Sequence, residues 1–292
     1  MSRYLDPTND VAFKRLFGTK EHKPLLISFL NAILDLKGKR SIQQVELLPR
    51  EQAPSISGAK TSILDVKCTD ERGYQYVVEM QNKKVPGFIK RSQYYVAHTY
   101  VSQSMKGISH LELKPVILLA IANHTLFPKK EETVSYHKTL DLKTHENDLE
   151  DLSYVFIELP KFKKTEQELN TTQDKWIYFF KNWSKSNEIP KNVDEPELIE
   201  AYKAMEEFNW SLGEKEAYMK ANIALTEEFA IKKEEFEKGE KKGLAKGVEK
   251  GKLLQSCHLA REMLKNGISK DQVKKITGLT EEDLRNFSEK EE

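Results

Sequence analysis

The run "KPVILLAIAN", Lys114–Asn123, constrains this chain more than any other stretch. Between Pro115 and Asn123 it holds no polar residue, which is the pattern of a strand buried on both faces. Such a strand needs neighbours in a sheet and a layer above and below it. The flanking sequence offers both. "DPTNDVAFKRLFG" begins with cap-type residues and reads as a short helix with Val11, Phe13, Leu16 and Phe17 apolar. "KPLLISFLNAILDLKG" predicts a second helix from Pro24 to Gly38, with Leu25, Leu26, Phe29, Leu30 and Ile33 at helical spacing. "SIQQVELLP" is a first strand, and "SILDVKCTDERGYQYVVEMQNKK" supplies two more. "GFIKRSQYYVAHTYVSQSMKG" is a helix closing at Gly107, and "LSYVFIELP" is a strand after the apolar run. The order helix, three strands, helix, strand, strand predicts an α/β or α+β layer fold.

Composition removes several classes of function. The chain has 292 residues and a formal charge of +1, so nucleic-acid binding would have to rest on a local basic patch. Cys68 and Cys257 stand far apart in no zinc or disulfide pattern, which suits a reducing cytosol. No apolar run reaches membrane-spanning length, and "MSRYLDPTND" lacks the apolar core of a signal peptide. The expected location is cytoplasmic.

After about Pro160 the chain turns helical. Trp176, Phe179, Phe180 and Trp183 share a helical face and read as core. A long charged segment from about Glu214 contains Gly239, Gly243, Gly247 and Gly251 at intervals of four. Glycine costs a helix about 1 kcal/mol relative to alanine. The stripe is either a surface for close helix–helix approach or a flexible charged linker. The tail "NGISKDQVKKITGLTEEDLRNF" predicts two short helices, with capping boxes at Ser269/Gln272 and Thr280/Asp283 and a stop at Gly278. It could pass for a helix-turn-helix, but its acidic second helix favours a structural or oligomerising hairpin. The division expected is 1–165, a core domain; 166–236, a helical region; and 237–292, the glycine-rich helix and hairpin.

The hairpin of Ser62–Lys84 carries the chemistry. With Glu71, Arg72 and Gly73 as the loop and Gly73 left-handed, Asp70 faces Tyr74, Cys68 faces Tyr76, Val66 faces Val78 and Asp65 faces Glu79. Alternation then sets Ile63, Asp65, Lys67, Val77, Glu79 and Gln81 on one face. Leu64, Val66, Cys68, Tyr76, Val78 and Met80 occupy the other, a core face. A four-residue loop would instead shift the pairing by one and put the acids on opposite faces. Two acids directly opposite repel. They call for a compensating cation such as a divalent metal with oxygen ligands, for a shared proton, or for a solvated face where Lys67 or Lys83 offsets them. Lys83, Lys84, Lys90 and Arg91 follow closely and could hold phosphates. Arg91, Tyr94, Tyr95 and His98 share a helical face that could meet DNA; Tyr95 reads rather as packing, and His98 is a remote candidate for a general base.

These motifs in this order resemble the PD-(D/E)XK nuclease superfamily, in particular its recombination-promoting nuclease (Rpn) and transposase-like branch. The resemblance rests on "DPTNDVAFKRLFG", "LDVKC", "VVEMQ", "RSQYYVAHTY", "KGISHLELKPVILLAI" and the glycine-striped tail followed by "ITGLTEEDL", and it covers nearly the whole chain. It implies a restriction-endonuclease-like core, αβββαβ, with a mixed sheet flanked by helices and a helical C-terminal extension. It also implies a metal-dependent DNA endonuclease associated with recombination or mobile elements. Asp65 and Glu79 would be ligands of Mg²⁺ (or Mn²⁺), and Asp10 a further acid lent by the first helix. Gln81 takes the position of the superfamily's lysine; it can orient water but bears no charge, and Lys67 is a possible substitute. DNA is the implied partner, and a homodimer through the C-terminal helices is expected.

Overall fold

The computed structural model describes residues 3–52, 62–104, 109–185, 188–280 and Asp283. In chain order the elements are α1 (Asp10–Phe17), α2 (Lys23–Ile33), β1 (Val45–Leu47), β2 (Glu51–Gln52), β3 (Ser62–Ile63), β4 (Val66–Asp70), β5 (Gln75–Gln81) and α3 (Phe88–Val101). There follow β6 (Val116–Ala122), β7 (Val134–Lys138), β8 (Leu152–Glu158), α4 (Thr172–Asn182), α5 (Pro196–Met205), α6 (Leu212–Lys265) and α7 (Lys270–Thr277). Contacts divide the chain into two compact units, Met1–Asn222 and Ile223–Glu292.

The first unit is built on a six-stranded mixed sheet of order β1-β4-β5-β6-β8-β7. β6 pairs in parallel with both β5 and β8, and the outer pairings are antiparallel. The apolar run is therefore central and covered on both sides. Val116, Leu118 and Ala120 pack with Phe88, Tyr95 and Val96 of α3. Leu119 and Ile121 join the larger core, where α1, α2, α4 and α5 meet the sheet. Phe17 stacks on Phe29 at 5.0 Å, and Trp176 meets the edge of Phe29 at 5.6 Å. The Trp176 indole N–H donates to Ser28 Oγ at 3.3 Å. Trp176, Phe179 and Phe180 are buried as expected, whereas Trp183, just past the end of α4, is half-buried; α4 and α5 share one core with the sheet.

Some boundaries differ from the sequence reading. α2 stops at Ile33, well before Gly38. There the Leu36 N–H returns to the Asn31 carbonyl (3.0 Å), and Asp35 takes a left-handed conformation (φ +50). The Asn31 amide then clamps both backbone groups of Ile42 at 2.8 and 2.9 Å, so the chain folds back. α3 ends at Val101, and Gly107 lies outside the described residues. The β2–β3 ribbon and the edge strand β7 were not foreseen; both are short, and periodicity carries little signal over so few residues.

In the second unit all four striped glycines lie inside α6, which removes the linker alternative. A Cβ at any of them would meet nothing within 4 Å. Cys257, Ala260, Val273 and Leu279 form a small core between the end of α6 and α7. Ser269 precedes α7, but its hydroxyl bonds the Gln272 side chain rather than a backbone N–H; the Thr280/Asp283 box forms in full. Both cysteines are free and buried. Among the described residues no helix is long and apolar enough to cross a membrane.

Trp176→Ala should remove about 3–5 kcal/mol of stability, because it empties the junction of α1, α2 and α4. Urea denaturation measures this; a loss below about 1 kcal/mol would mean that the helical layer does not share the sheet's core.

Candidate active site

The β4–β5 hairpin has the register expected from its sequence. Val66 pairs with Val78 and Cys68 with Tyr76, and the Asp70 N–H bonds the Tyr74 carbonyl at 3.0 Å. Gly73 has φ +85, a conformation that glycine adopts without strain. Asp70 holds the loop in this form. Its buried carboxylate accepts the N–H groups of Arg72 and Tyr74, the Arg72 guanidinium at 2.5 and 2.8 Å and the Tyr76 hydroxyl at 3.0 Å.

One residue beyond the ladder, Asp65 and Glu79 face each other. The Met80 N–H donates to Asp65 Oδ2 at 2.8 Å, and the Asp65 N–H donates to Glu79 Oε1 at 3.3 Å. Each acid is thus held by the other's strand. Neither forms an ion pair with Lys67 or Lys83, so the solvated-face alternative fails. Leu64 departs from the expected core face: it packs with Val77, Tyr95 and Val116 under α3. The chain bends at Asp65 between β3 and β4, and strict alternation does not carry across the bend.

The electrostatics are those of acids without enough compensation. Glu79 is 4% exposed. Burial pushes its pKa up to about 8, and the Asp65 charge adds to the rise. Burial likewise pushes Asp65 up to about 6; the Asp10 charge raises it further, and the Met80 N–H opposes the rise. Asp10 opens α1 close enough to act on Asp65, and its own carboxylate binds Lys14 Nζ at 2.6 Å. Gln81, 8% exposed, donates its amide to the Met80 carbonyl at 3.1 Å.

The sequence reading missed the cations of the site. Lys14 acts on both Asp65 and Glu79, and its i,i+4 spacing from Asp10 was the available signal. Arg91, expected among the DNA-facing residues, turns inward and donates Nη2 to Gln81 Oε1 at 3.1 Å. Lys84 and Lys90 are exposed, Lys83 is half-buried and engaged, and Lys67 is half-buried without an ion pair. His98 packs on Tyr94 at 5.7 Å and bonds neither acid. Among the described residues no three His, Cys, Asp or Glu side chains gather into a metal cage. Asp65 and Glu79, with Asp10 beside them, could still offer oxygen ligands to a hard dication.

The family model for the PD-(D/E)XK nuclease family transposase matches residues 7–234, which include every residue of this site. The chain belongs to this family. In this PD-(D/E)XK nuclease family member the tail matches a second model, the Rpn/YhgA-like nuclease family C-terminal HTH domain, over residues 255–289. That match favours the helix-turn-helix reading over the structural hairpin, and it suggests DNA binding. No curated protein and no solved structure matches the chain.

The raised carboxylate pKa values set a pH dependence. In the metal-free protein, Asp65 and Glu79 hold protons up to about pH 6 and 8, whereas in the unfolded chain they release them near pH 4. Their contribution to stability is therefore full below about pH 4 and is lost as pH rises through the folded-state values. In EDTA the melting temperature should fall between pH 6 and 8, and Glu79→Gln should flatten that fall. Identical slopes for wild type and variant would refute the assignment.

Proposed function

We propose that this protein is a DNA endonuclease that hydrolyses phosphodiester bonds with Mg²⁺ or Mn²⁺. The observation that carries this reading is the Asp65–Glu79 pair: two carboxylates held side by side, with no side-chain ion pair to either. The donor set fits the ion, because carboxylate oxygens suit a hard dication and no sulfur or imidazole joins them. Asp65 and Glu79 would hold it, with Asp10 as the further acid. When bound there, a dication would supply Lewis-acid activation of water and neutralise charge on the phosphate.

The chain's own groups do the rest. Gln81 spends one N–H on Met80 and one lone pair on Arg91, which leaves one of each to orient an attacking water. Of the four cations expected to meet phosphates, Lys84 and Lys90 are exposed to do so, while Lys83 is already engaged and Arg91 faces Gln81; binding should weaken with salt. Element mobility is the setting that the family's description, a transposase, suggests. A second reading is DNA binding with weak or lost cleavage; the neutral Gln81 favours it.

Supercoiled plasmid incubated with Mg²⁺ or Mn²⁺ should be nicked by wild type and by Asp65→Ala about 10²-fold more slowly or less. At pH 8 the same ions should raise the melting temperature of wild type but not of the variant. Equal nicking by both proteins would refute the enzyme reading; salt-sensitive binding with no cleavage in either metal would favour the second.

The assembly proposed is a homodimer through the C-terminal helices. α6 exposes Phe236, Leu244 and Val248 beside its glycine stripe, and two subunits would give one site per DNA strand. Deleting residues from Glu237 onward should take the mass seen by light scattering from that of a full-length dimer to that of a truncated monomer, well under half; a full-length protein that is already monomeric would remove the idea.

A further inference from the structure

We propose that Arg91 is a catalytic residue, supplying at the scissile phosphate the positive charge that Gln81 lacks. This rests on the nuclease reading above. Gln81 ends β5, two residues beyond Glu79 on the same face, where a neutral amide cannot balance charge on a phosphate. Arg91 comes from the first turn of α3 and reaches the same point, donating Nη2 to Gln81 Oε1 at 3.1 Å. Its guanidinium lies 5.4 Å from the Phe88 ring centre and 5.9 Å from that of Tyr95, which limits where the group can turn.

Two observations point to a missing acceptor. Arg91 acts on Glu79 through its charge, yet no hydrogen bond joins them. Its Nε–H is buried and unpartnered. A buried donor without an acceptor is costly, and here it belongs to a planar fork whose spacing matches phosphate oxygens. The other cations are placed differently. Lys14 is bonded to Asp10, and Lys67 sits on β4 opposite Val77 with no bond to Gln81.

In the step itself, the water oxygen bonds to phosphorus while the ester P–O bond on the far side breaks. The water's proton leaves to solvent, and the departing oxygen takes a proton up. No electrons are exchanged with another molecule. Charge gathers on the non-bridging oxygens as the new bond forms, and Arg91 stabilises it there.

The test is single-turnover cleavage of plasmid by wild type, Arg91→Ala, Arg91→Lys, Lys14→Gln and the double variant Gln81→Lys/Arg91→Ala, with melting temperatures to confirm folding. DNA binding in metal-free buffer, measured against salt, provides a readout separate from activity. Arg91→Ala should cleave about 10²–10³-fold more slowly, with the salt slope falling by no more than about one. Arg91→Lys should retain more activity than Arg91→Ala, and Lys14→Gln should lose less. The double variant should recover at least tenfold, because its new lysine restores a cation at position 81. Wild-type cleavage by Arg91→Ala, a rate loss matched by the loss of DNA affinity, or no recovery in the double variant would overturn the proposal while leaving the nuclease reading intact. A wild type that cuts nothing in either metal would overturn both.

Discussion

The pairing of β4 with β5 decides where the acids of this protein stand. A slip of one residue would send Asp65 and Glu79 to opposite faces of the sheet. The tight loop and the Asp70 carboxylate prevent that slip, because four groups from Arg72, Tyr74 and Tyr76 converge on one buried acid. Asp70 is thus as much a part of the site's design as the acids it positions, although it lies at the far end of the strand.

The site departs from what stability alone would favour. A buried carboxylate is costly to ionise, and a second one beside it adds to the cost. Most folded chains avoid such a pair or bond it to a cation. Here the strands lend backbone N–H groups to both acids, while Lys14 and Arg91 act on them without bonding either. The rigid sheet holds the pair in place, and the burial that comes with it raises the pKa of both acids.

The helix that carries Asp10 is anchored from several directions. Asn9 caps α1 through the N–H groups of Val11 and Ala12, and its amide donates to Asn222 Oδ1 at 2.8 Å. Asp6 accepts the N–H and hydroxyl of Thr8, and its own N–H meets the Tyr218 hydroxyl. The Asn82 side chain, one residue past Gln81, donates to the Thr8 carbonyl. The opening "DPTND" therefore ties α1 to the start of α6 and to the end of β5 at once. Its polar residues act as fasteners, and they hold Asp10 beside the strand acids.

The sequence by itself determined the elements whose signals are local. The apolar run marked the central strand, the amphipathic pattern marked α1 and α2, and the Asp70–Gly73 turn gave the hairpin register that sets Asp65 opposite Glu79. Each follows from residue period or turn geometry within a short window. Only the tertiary structure decided that Arg91 turns inward to Gln81, that Lys14 completes the electrostatic surroundings, that Leu64 crosses to the α3 side and that α2 stops at the Asn31–Ile42 clamp. Those outcomes depend on contacts between segments far apart in the chain. A charged residue on a helix has the same local signature whether it faces water or a buried amide, so its partner could be read only once the helix was seated on the sheet.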